Sequence, residues 1–366
     1  MPLILAIEST CDETAAAVVE GGVRVLSNVV ATQFELHARY RGVVPEIASR
    51  AHIENILPVI REAVESASCD FADIDAVAVA HRPGLIGSLL VGVTAAKTLA
   101  WALDKPLIGV DHVHAHMYSV LLEECRVRSA EGRVGSDVPA IHSALGTSHS
   151  TLPPTFPAVG LVCSGGHTAL YAVRSWDDVT LIGTTIDDAV GEAYDKVAAM
   201  LGLGYPGGPL LDKLAAEGDP RAVRFPRTLL DRESLDFSFS GLKTAVLYHV
   251  RGVPGKPPRP EPPTEAEVRD IAAGFQAACV DVISEKLRRA ARVVGARSVI
   301  VGGGVSANRG LRDALAAFDL PCHFPALRYC TDNAAMSAGL AHVHLAAGRS
   351  DPLDLDAITY SQFARR

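Results

Sequence analysis

His112 and His116 stand four residues apart in the stretch Gly109–Tyr118. On a helix that spacing puts both imidazoles on one face, close enough to hold one metal ion. Two ligands do not complete a site. Asp332, within Cys330–Met336, is the candidate third ligand. The competing reading is chance, because thirteen histidines supply some i,i+4 pair without any metal. A zinc-protease helix carries Glu directly after its first His, as the general base. Val113 occupies that place, so the base is missing.

Several loops are built to approach a ligand closely. Gly302–Asn308 sets three glycines between an apolar run and a helix, which lets backbone lie against a ring or a phosphate. Pro83–Ser88 has a weaker form of the same layout, shared with any tight strand-to-helix turn. Cys163–Thr168 is a glycine turn between apolar runs. Gly202–Pro209 places two glycines between prolines, a rigid platform free of side chains. The turn Glu8–Thr14 is rich in hydroxyl and carboxyl groups and suits a phosphate or a metal-bound ligand. Asp187 and Asp188 precede a helical stretch in which Glu192, Asp195 and Lys196 are spaced to share a face. The alternative there is a solvated Glu192–Lys196 pair.

These residues need elements to position them. Leu3–Ile7, Ala15–Val19 and Val23–Val30 read as strands joined by tight turns. Ile47–Ser66 reads as a helix containing Pro58, followed by a strand over Ile74–Ala80, a helix over Leu89–Leu103 and a strand over Leu107–Val110. Ala158–Val162, Ala169–Val173 and Val179–Ile182 repeat the opening pattern of three strands. A duplicated meander with a cleft between its copies is the plan of the actin, sugar-kinase and Hsp70 class of folds. The expected organisation is an N-terminal lobe over 1–125, a flexible insertion over 126–157 and a C-terminal lobe over 158–366. The insertion is rich in Ser, Gly, Pro and His, and its His142 and His149 are read as exposed and not as ligands. Residues 251–263 form a Pro-rich loop. Thr264–Glu267 is a capping box opening a long helix with Val268, Ile271, Phe275, Val282 and Leu287 inward. Its basic end, Lys286, Arg288, Arg289 and Arg292, reads as a solvated face, with nucleic-acid contact as the alternative. Ser298–Val301 is a strand, followed by a helix from about Arg309. Thr331 is expected to cap the last long helix, with Asp332 and Asn333 in its first turn, and that helix is expected to pack back on the N-terminal lobe.

Composition narrows the class. The chain has 366 residues, 48% apolar and 21% charged, which is a globular balance and enough for two domains. A net charge of −8 gives no whole-surface attraction to nucleic acid or anionic membrane. Seven scattered cysteines, an odd number with no Cys-x-x-Cys, suit a reducing cytosol. The opening apolar run meets Glu8 too early for a signal peptide, and no apolar run approaches the roughly 20 residues of a membrane span. The reading is a cytoplasmic protein with no membrane association.

Nine stretches, in order, carry a resemblance: Ile7–Thr14, Pro83–Gly92, His112 with His116, Ser164–Thr168, Asp187–Lys196, Tyr205–Pro209, Phe237–Thr244, Gly303–Asn308 and Thr331–Met336. Together they resemble the TsaD/YgjD/Gcp (Kae/Qri) family of tRNA N6-adenosine threonylcarbamoyltransferases, over essentially the whole chain. The resemblance implies an actin-like (ASKHA) α/β fold of two lobes. It implies transfer of threonylcarbamoyl from threonylcarbamoyl-AMP to N6 of the adenosine 3′-adjacent to the anticodon, in tRNAs reading codons that begin with A. It implies one divalent metal on His112, His116 and Asp332, with Fe(II) ahead of Zn(II). Val162, Cys163, Ser164, Gly165, Gly166, Asp195, Gly208, Asp212 and Asn308 would line the donor site. It also implies a paralogous TsaB-like dimerisation partner and a TsaE-like ATPase, and the acidic net charge agrees with tRNA binding that needs help.

Such a metal, with open coordination positions, could hold carbamate and phosphate oxygens, while glycine-loop N–H groups stabilise the oxyanion. The adenine amine is the nucleophile, so none is required of the protein. The general base stays unassigned, with Asp12 and Glu13 as guesses. The chain departs from the family at Arg82, where Gly is usual, which would leave a bulky cation near the cleft. It departs again at His114, where Glu is common in bacteria and which should face away from the metal, at Cys163 before Ser-Gly-Gly, and in a longer insertion. The alternatives are a metalloprotease of O-sialoglycoprotein endopeptidase type, a carbamoyltransferase for another acceptor, a sugar-kinase-like ATPase and a non-catalytic scaffold.

Overall fold

In the computed structural model, the described residues are 1–40, 42–124, 152–230, 233–255 and 261–363. Most of the insertion read over 126–157, including His142 and His149, lies outside them, as does 256–260 of the Pro-rich loop.

A continuous apolar run over Leu3–Ile7 already decides a strand buried on both faces. Strand β1 (Leu3–Glu8) turns Ile4 and Ala6 to one side and Leu5 and Ile7 to the other, and both sides are core. It pairs antiparallel with β2 (Glu13–Glu20), which pairs antiparallel with β3 (Arg24–Thr32). One short helix and a long one follow: α1 (Phe34–Ala38), then α2 (Pro45–Ser66), which runs through Pro58. Strand β4 (Ala76–Arg82), α3 (Ile86–Leu103) and β5 (Leu107–Asp111) add parallel strands beside β1. Next come α4 (His112–Tyr118) and the edge strand β6 (Glu123–Glu124). The first sheet therefore has the order β5-β4-β1-β2-β3-β6.

The second sheet repeats the plan. Strands β7 (Ala158–Cys163), β8 (Thr168–Ser175) and β9 (Asp178–Thr184) form the meander. After α5 (Val190–Met200), α6 (Gly207–Ala215), α7 (Ser240–Arg251) and α8 (Glu265–Val294) comes β10 (Ser298–Gly302), parallel to β7. Then follow α9 (Arg309–Ala316), β11 (Cys322–His323), parallel to β10, and α10 (Ala334–Ala346). The order β11-β10-β7-β8-β9 matches β5-β4-β1-β2-β3 strand for strand. The molecule is an actin-like α/β fold with the meander duplicated.

Two packing features place the site. Helix α10 follows the second sheet in sequence but packs Met336, Ala338, Leu340 and Ala341 against Ile4, Ala6, Ala15 and Ala17 of the first. Alanine on both surfaces permits that close approach. Helix α4 is buried along all seven residues. Its Ala115 and Tyr118 join the first-sheet core, while Val113 and Met117 pack on Val162 and Ile300 of the second.

Three sequence expectations change. Lys286 is fully buried, donating to the carbonyls of Leu229 and Ser234, so the basic end of α8 is not wholly a solvated face. Asn333, and not Thr331, caps α10, its side chain accepting from Met336 N, so Asp332 lies ahead of the helix. Helix α3 is long and apolar enough, by length and composition, to cross a membrane, although no such run was expected. Here its Leu89, Val93, Ala96 and Ala100 pack in the first-sheet core.

Candidate metal centre and cleft

The stretch Asp111–His116 positions the two candidate imidazole ligands because its first residue fastens the helix. One carboxylate oxygen of Asp111 accepts from Val113 N at 3.0 Å and His114 N at 3.2 Å. The other accepts from Ser361 Oγ at 2.7 Å and Gln362 N at 2.9 Å, so the C-terminal segment holds the same cap. From that helix His112 and His116 project together, their ring centroids 4.6 Å apart. Packing of α10 on the first sheet delivers Asp332. Its Oδ1 lies 3.1 Å from His116 Nε2 and 3.5 Å from His112 Nε2.

One ligand atom from each of the three lies within 4.8 Å of the others, which makes them a group able to hold a metal ion. The donor chemistry fits: two imidazoles and one carboxylate suit iron or zinc and leave coordination positions open. The electrostatics fit too. Burial pulls the His112 pKa down, but the carboxylates of Glu8 and Asp332 outweigh it and raise it to about 9. Burial opposes ionisation of Asp332, and His112 and His116 overcome it, holding that carboxyl well below the usual range. Glu13 is pushed up, first by burial and then by the charges of Asp332 and Asp12. Crowded, buried carboxylates of this kind are relieved by a cation.

His114 points elsewhere, as its place two residues after His112 requires. Its ring packs edge-on to Phe363 at 5.5 Å, both nitrogens lack a hydrogen-bond partner among the described residues, and burial lowers its pKa to about 3.

A cleft of about 890 Å³ opens beside this triad, lined by residues of both lobes. Thr10–Glu13 and Pro83–Leu85 form one wall. Ser164–His167, Glu192, Asp195, Lys196 and Gly304 form the other, and Thr359 of the C-terminal segment reaches in. Ser164 N donates to His167 O, and Gly191 N to Ser164 O, which closes the turn. Gly165 and Gly166 are exposed at its tip, with no hydrogen bond on either N–H among the described residues. Gly303 has φ +87°, and a Cβ there would stand 2.4 Å from Cys163 O, so this glycine allows β10 to end against β7.

The expected donor-site residues divide into three places. Ser164, Gly165, Gly166 and Asp195 line the cleft. Val162 and Cys163 are buried behind it, in the cores beneath the turn. Gly208, Asp212 and Asn308 are not among the residues that line it; Gly208 and Asp212 belong to α6 and Asn308 caps α9. Gly207 N and Gly208 N donate to Asp195 at 2.8 and 3.2 Å, so the glycine pair begins helix α6 and is not a bare platform. Asn308 caps α9 and donates to Asp212 at 3.0 Å and Gln276 at 2.8 Å. Lys196 pairs with Asp188 and Glu192, while Asp195 turns to the α6 glycines instead of joining them. Asp187 accepts from Ser238, Phe239 and Ser240, which explains the serine-rich Phe237–Thr244. Arg82 does not line the cleft. It donates to His81 Nε2 at 2.9 Å, and the bulky cation expected near the cleft is tied to its neighbour.

The turn Glu8–Thr14 stands out in the sequence as a whole, but nothing in it singles out Glu8, which meets His112 Nδ1 at 3.0 Å. Thr359 carries no motif at all.

Comparison with known proteins bears on this arrangement. A family model described as tRNA N6-adenosine threonylcarbamoyltransferase matches residues 24–130 and 134–339. A protein of that name from Symbiobacterium thermophilum is 49% identical over 360 residues, 97% of this chain and 95% of its own length. One from Trichlorobacter lovleyi is 46% identical over 359 residues, with the same two coverages. Among solved structures, HypF of T. kodakarensis aligns with a TM-score of 0.56 at 15% identity, over 94% of this chain and 48% of that one, which is a likeness of fold.

Proposed function

The chain belongs to the tRNA N6-adenosine threonylcarbamoyltransferase family, and we propose that it forms threonylcarbamoyladenosine in the cleft between its two sheets, beside a metal held by His112, His116 and Asp332. The transferase function follows from the family. Threonylcarbamoyl passes to N6 of the adenosine 3′-adjacent to the anticodon, in tRNAs reading codons that begin with A. The observation that carries the assignment to the cleft is the convergence of His112 and Asp332, two of the three grouped ligands, with the Ser164–His167 turn on one cavity.

His112, His116 and Asp332 would hold the ion, Fe(II) by preference and Zn(II) as the alternative, which would supply Lewis acidity for carbamoyl and phosphate oxygens. The residues of the chain do the rest. Gly165 and Gly166 N–H groups face the oxyanion that forms as N6 attacks the carbamoyl carbon. The bond from that carbon to the phosphate oxygen breaks and AMP leaves. The N6 proton goes to a carboxylate of the Asp12–Glu13 pair, both of which line the cleft. Asp195, Gly208, Asp212 and Asn308 hold the nucleotide end of threonylcarbamoyl-AMP. Val162 and Cys163 support the turn from behind.

Two partners complete the system, a TsaB-like paralogue and a TsaE-like ATPase, in the cytoplasm and without a membrane. The net charge of −8 favours a tRNA surface shared with partners. The exposed apolar side chains Ile53 and Leu57 of α2, with Ile86 and Leu90 of α3, offer the paralogue a contact surface.

The test is nucleoside mass spectrometry. The chain and its organism's partner proteins are incubated with threonylcarbamoyl-AMP and unmodified tRNA, and the digest is searched for threonylcarbamoyladenosine. Product that disappears in His112→Ala and Asp332→Ala supports the assignment. Product that survives both variants refutes the role of the triad.

A further inference from the structure

We propose that Glu8 is the positioning residue of the metal centre, fixing the His112 ring so that Nε2 is its ligating atom. The inference rests on the reading of His112, His116 and Asp332 as a metal triad. Glu8 ends β1 and is wholly buried. Its Oε2 lies 3.0 Å from His112 Nδ1, and its Oε1 accepts from Thr10 N at 2.9 Å. Ser337 Oγ, on α10, approaches the same Oε2 at 3.5 Å. The carboxylate therefore touches the helix that bears the histidines and the helix that begins just after Asp332.

Glu8 is not itself a ligand. It meets the Nδ1 edge of His112, whereas Asp332 faces the Nε2 edge. With the Glu8 carboxylate accepting from Nδ1, Nε2 is the ring nitrogen left on the Asp332 side, free to ligate an ion that displaces its proton. His116 has no such support. Its Nδ1 is buried with no hydrogen-bond partner among the described residues. One ring of the pair is thus oriented before any ion arrives, and the other is oriented by Asp332.

The experiment measures Zn(II) affinity of the full chain by competition with a chromophoric chelator, for wild type, Glu8→Gln and His112→Ala. Gln keeps the shape of Glu8 and removes its charge. Glu8→Gln is expected to bind Zn(II) about 10–100-fold more weakly than wild type, with an unchanged circular dichroism spectrum. Affinity within about twofold of wild type in Glu8→Gln, with binding lost in His112→Ala, overturns the role of Glu8 and leaves the triad standing. Wild type and His112→Ala that bind alike overturn the triad, and the proposal with it. Should Glu8→Gln not fold, long-range proton–nitrogen spectra of zinc-loaded wild type decide: His112 protonated on Nδ1 supports the proposal, and protonation on Nε2 refutes it.

Discussion

His116 Nε2 and Asp332 Oδ1 stand 3.1 Å apart although 216 residues separate them in the chain. A bond between these atoms and a common ion would tie α4 to the entrance of α10, so binding and folding are linked. Addition of Fe(II) or Zn(II) at one hundred times its dissociation constant should stabilise the fold by about 2.7 kcal/mol. Chelation should reverse this, and Asp332→Ala should show neither effect. Thermal unfolding with and without chelator measures it.

How much of this relationship the sequence disclosed depends on the range of each interaction. The helical pair His112 and His116 is local, and spacing alone reveals it. The two meanders are legible because strand and turn signals recur in the same order. The join between His112 and Glu8 spans 104 residues, and nothing local says which acid meets which histidine. Lys286 misleads for a similar reason: on α8 it looks like surface, and only a distant loop, whose carbonyls at Leu229 and Ser234 accept its hydrogen bonds, makes it interior. At Thr331–Asn333 three consecutive residues are all able to cap a helix, and sequence cannot choose among them.

The buried ring of His114, whose nitrogens have no hydrogen-bond partner among the described residues, predicts an acid-sensitive fold. Burial, then the charges of His344 and Arg349, lower its pKa to about 3. An unfolded histidine titrates near 6.5. Between those values the unfolded chain binds a proton that the folded chain refuses, so stability falls as pH falls through that window. In His114→Leu the slope of stability between about pH 7 and about pH 5 should shrink by up to one proton, roughly 1.4 kcal/mol per pH unit. Denaturant unfolding across that range checks it.

Lys286 offers a test of a buried cation far from the cleft. Lys286→Met keeps the aliphatic volume and leaves the carbonyls of Leu229 and Ser234 without that donor. A loss of about 1–3 kcal/mol is expected in urea unfolding. Zinc affinity should stay at the wild-type value, because the change lies in the α8 core.

Gly303 is a backbone test of the cleft wall. Its φ of +87° and ψ of 163° fall in a region that is essentially restricted to glycine. A Cβ at 2.4 Å from Cys163 O meets backbone, which cannot swing aside. Gly303→Ala should cost on the order of 1–3 kcal/mol in strain. The displaced β7 end should also weaken binding of threonylcarbamoyl-AMP. Urea midpoints and calorimetric titration measure the two effects separately.

Arg82 stands beside the Pro83–Leu85 wall where the resemblance led to an expectation of Gly, and its geometry argues that the arginine is silent there. The guanidinium donates to His81 Nε2, and His81 Nδ1 lies 3.0 Å from Asp356 O. With Nδ1 protonated and Nε2 accepting, all three groups are satisfied by one tautomer, and the cation is engaged beside the C-terminal segment instead of in the cleft. Removing it leaves the lining residues where they are. Arg82→Gly should therefore change the rate of threonylcarbamoyladenosine formation by no more than about twofold, the range of a surface substitution. A gain of tenfold or more, read by the same nucleoside assay, would mean that the arginine does reach the cleft and obstructs it.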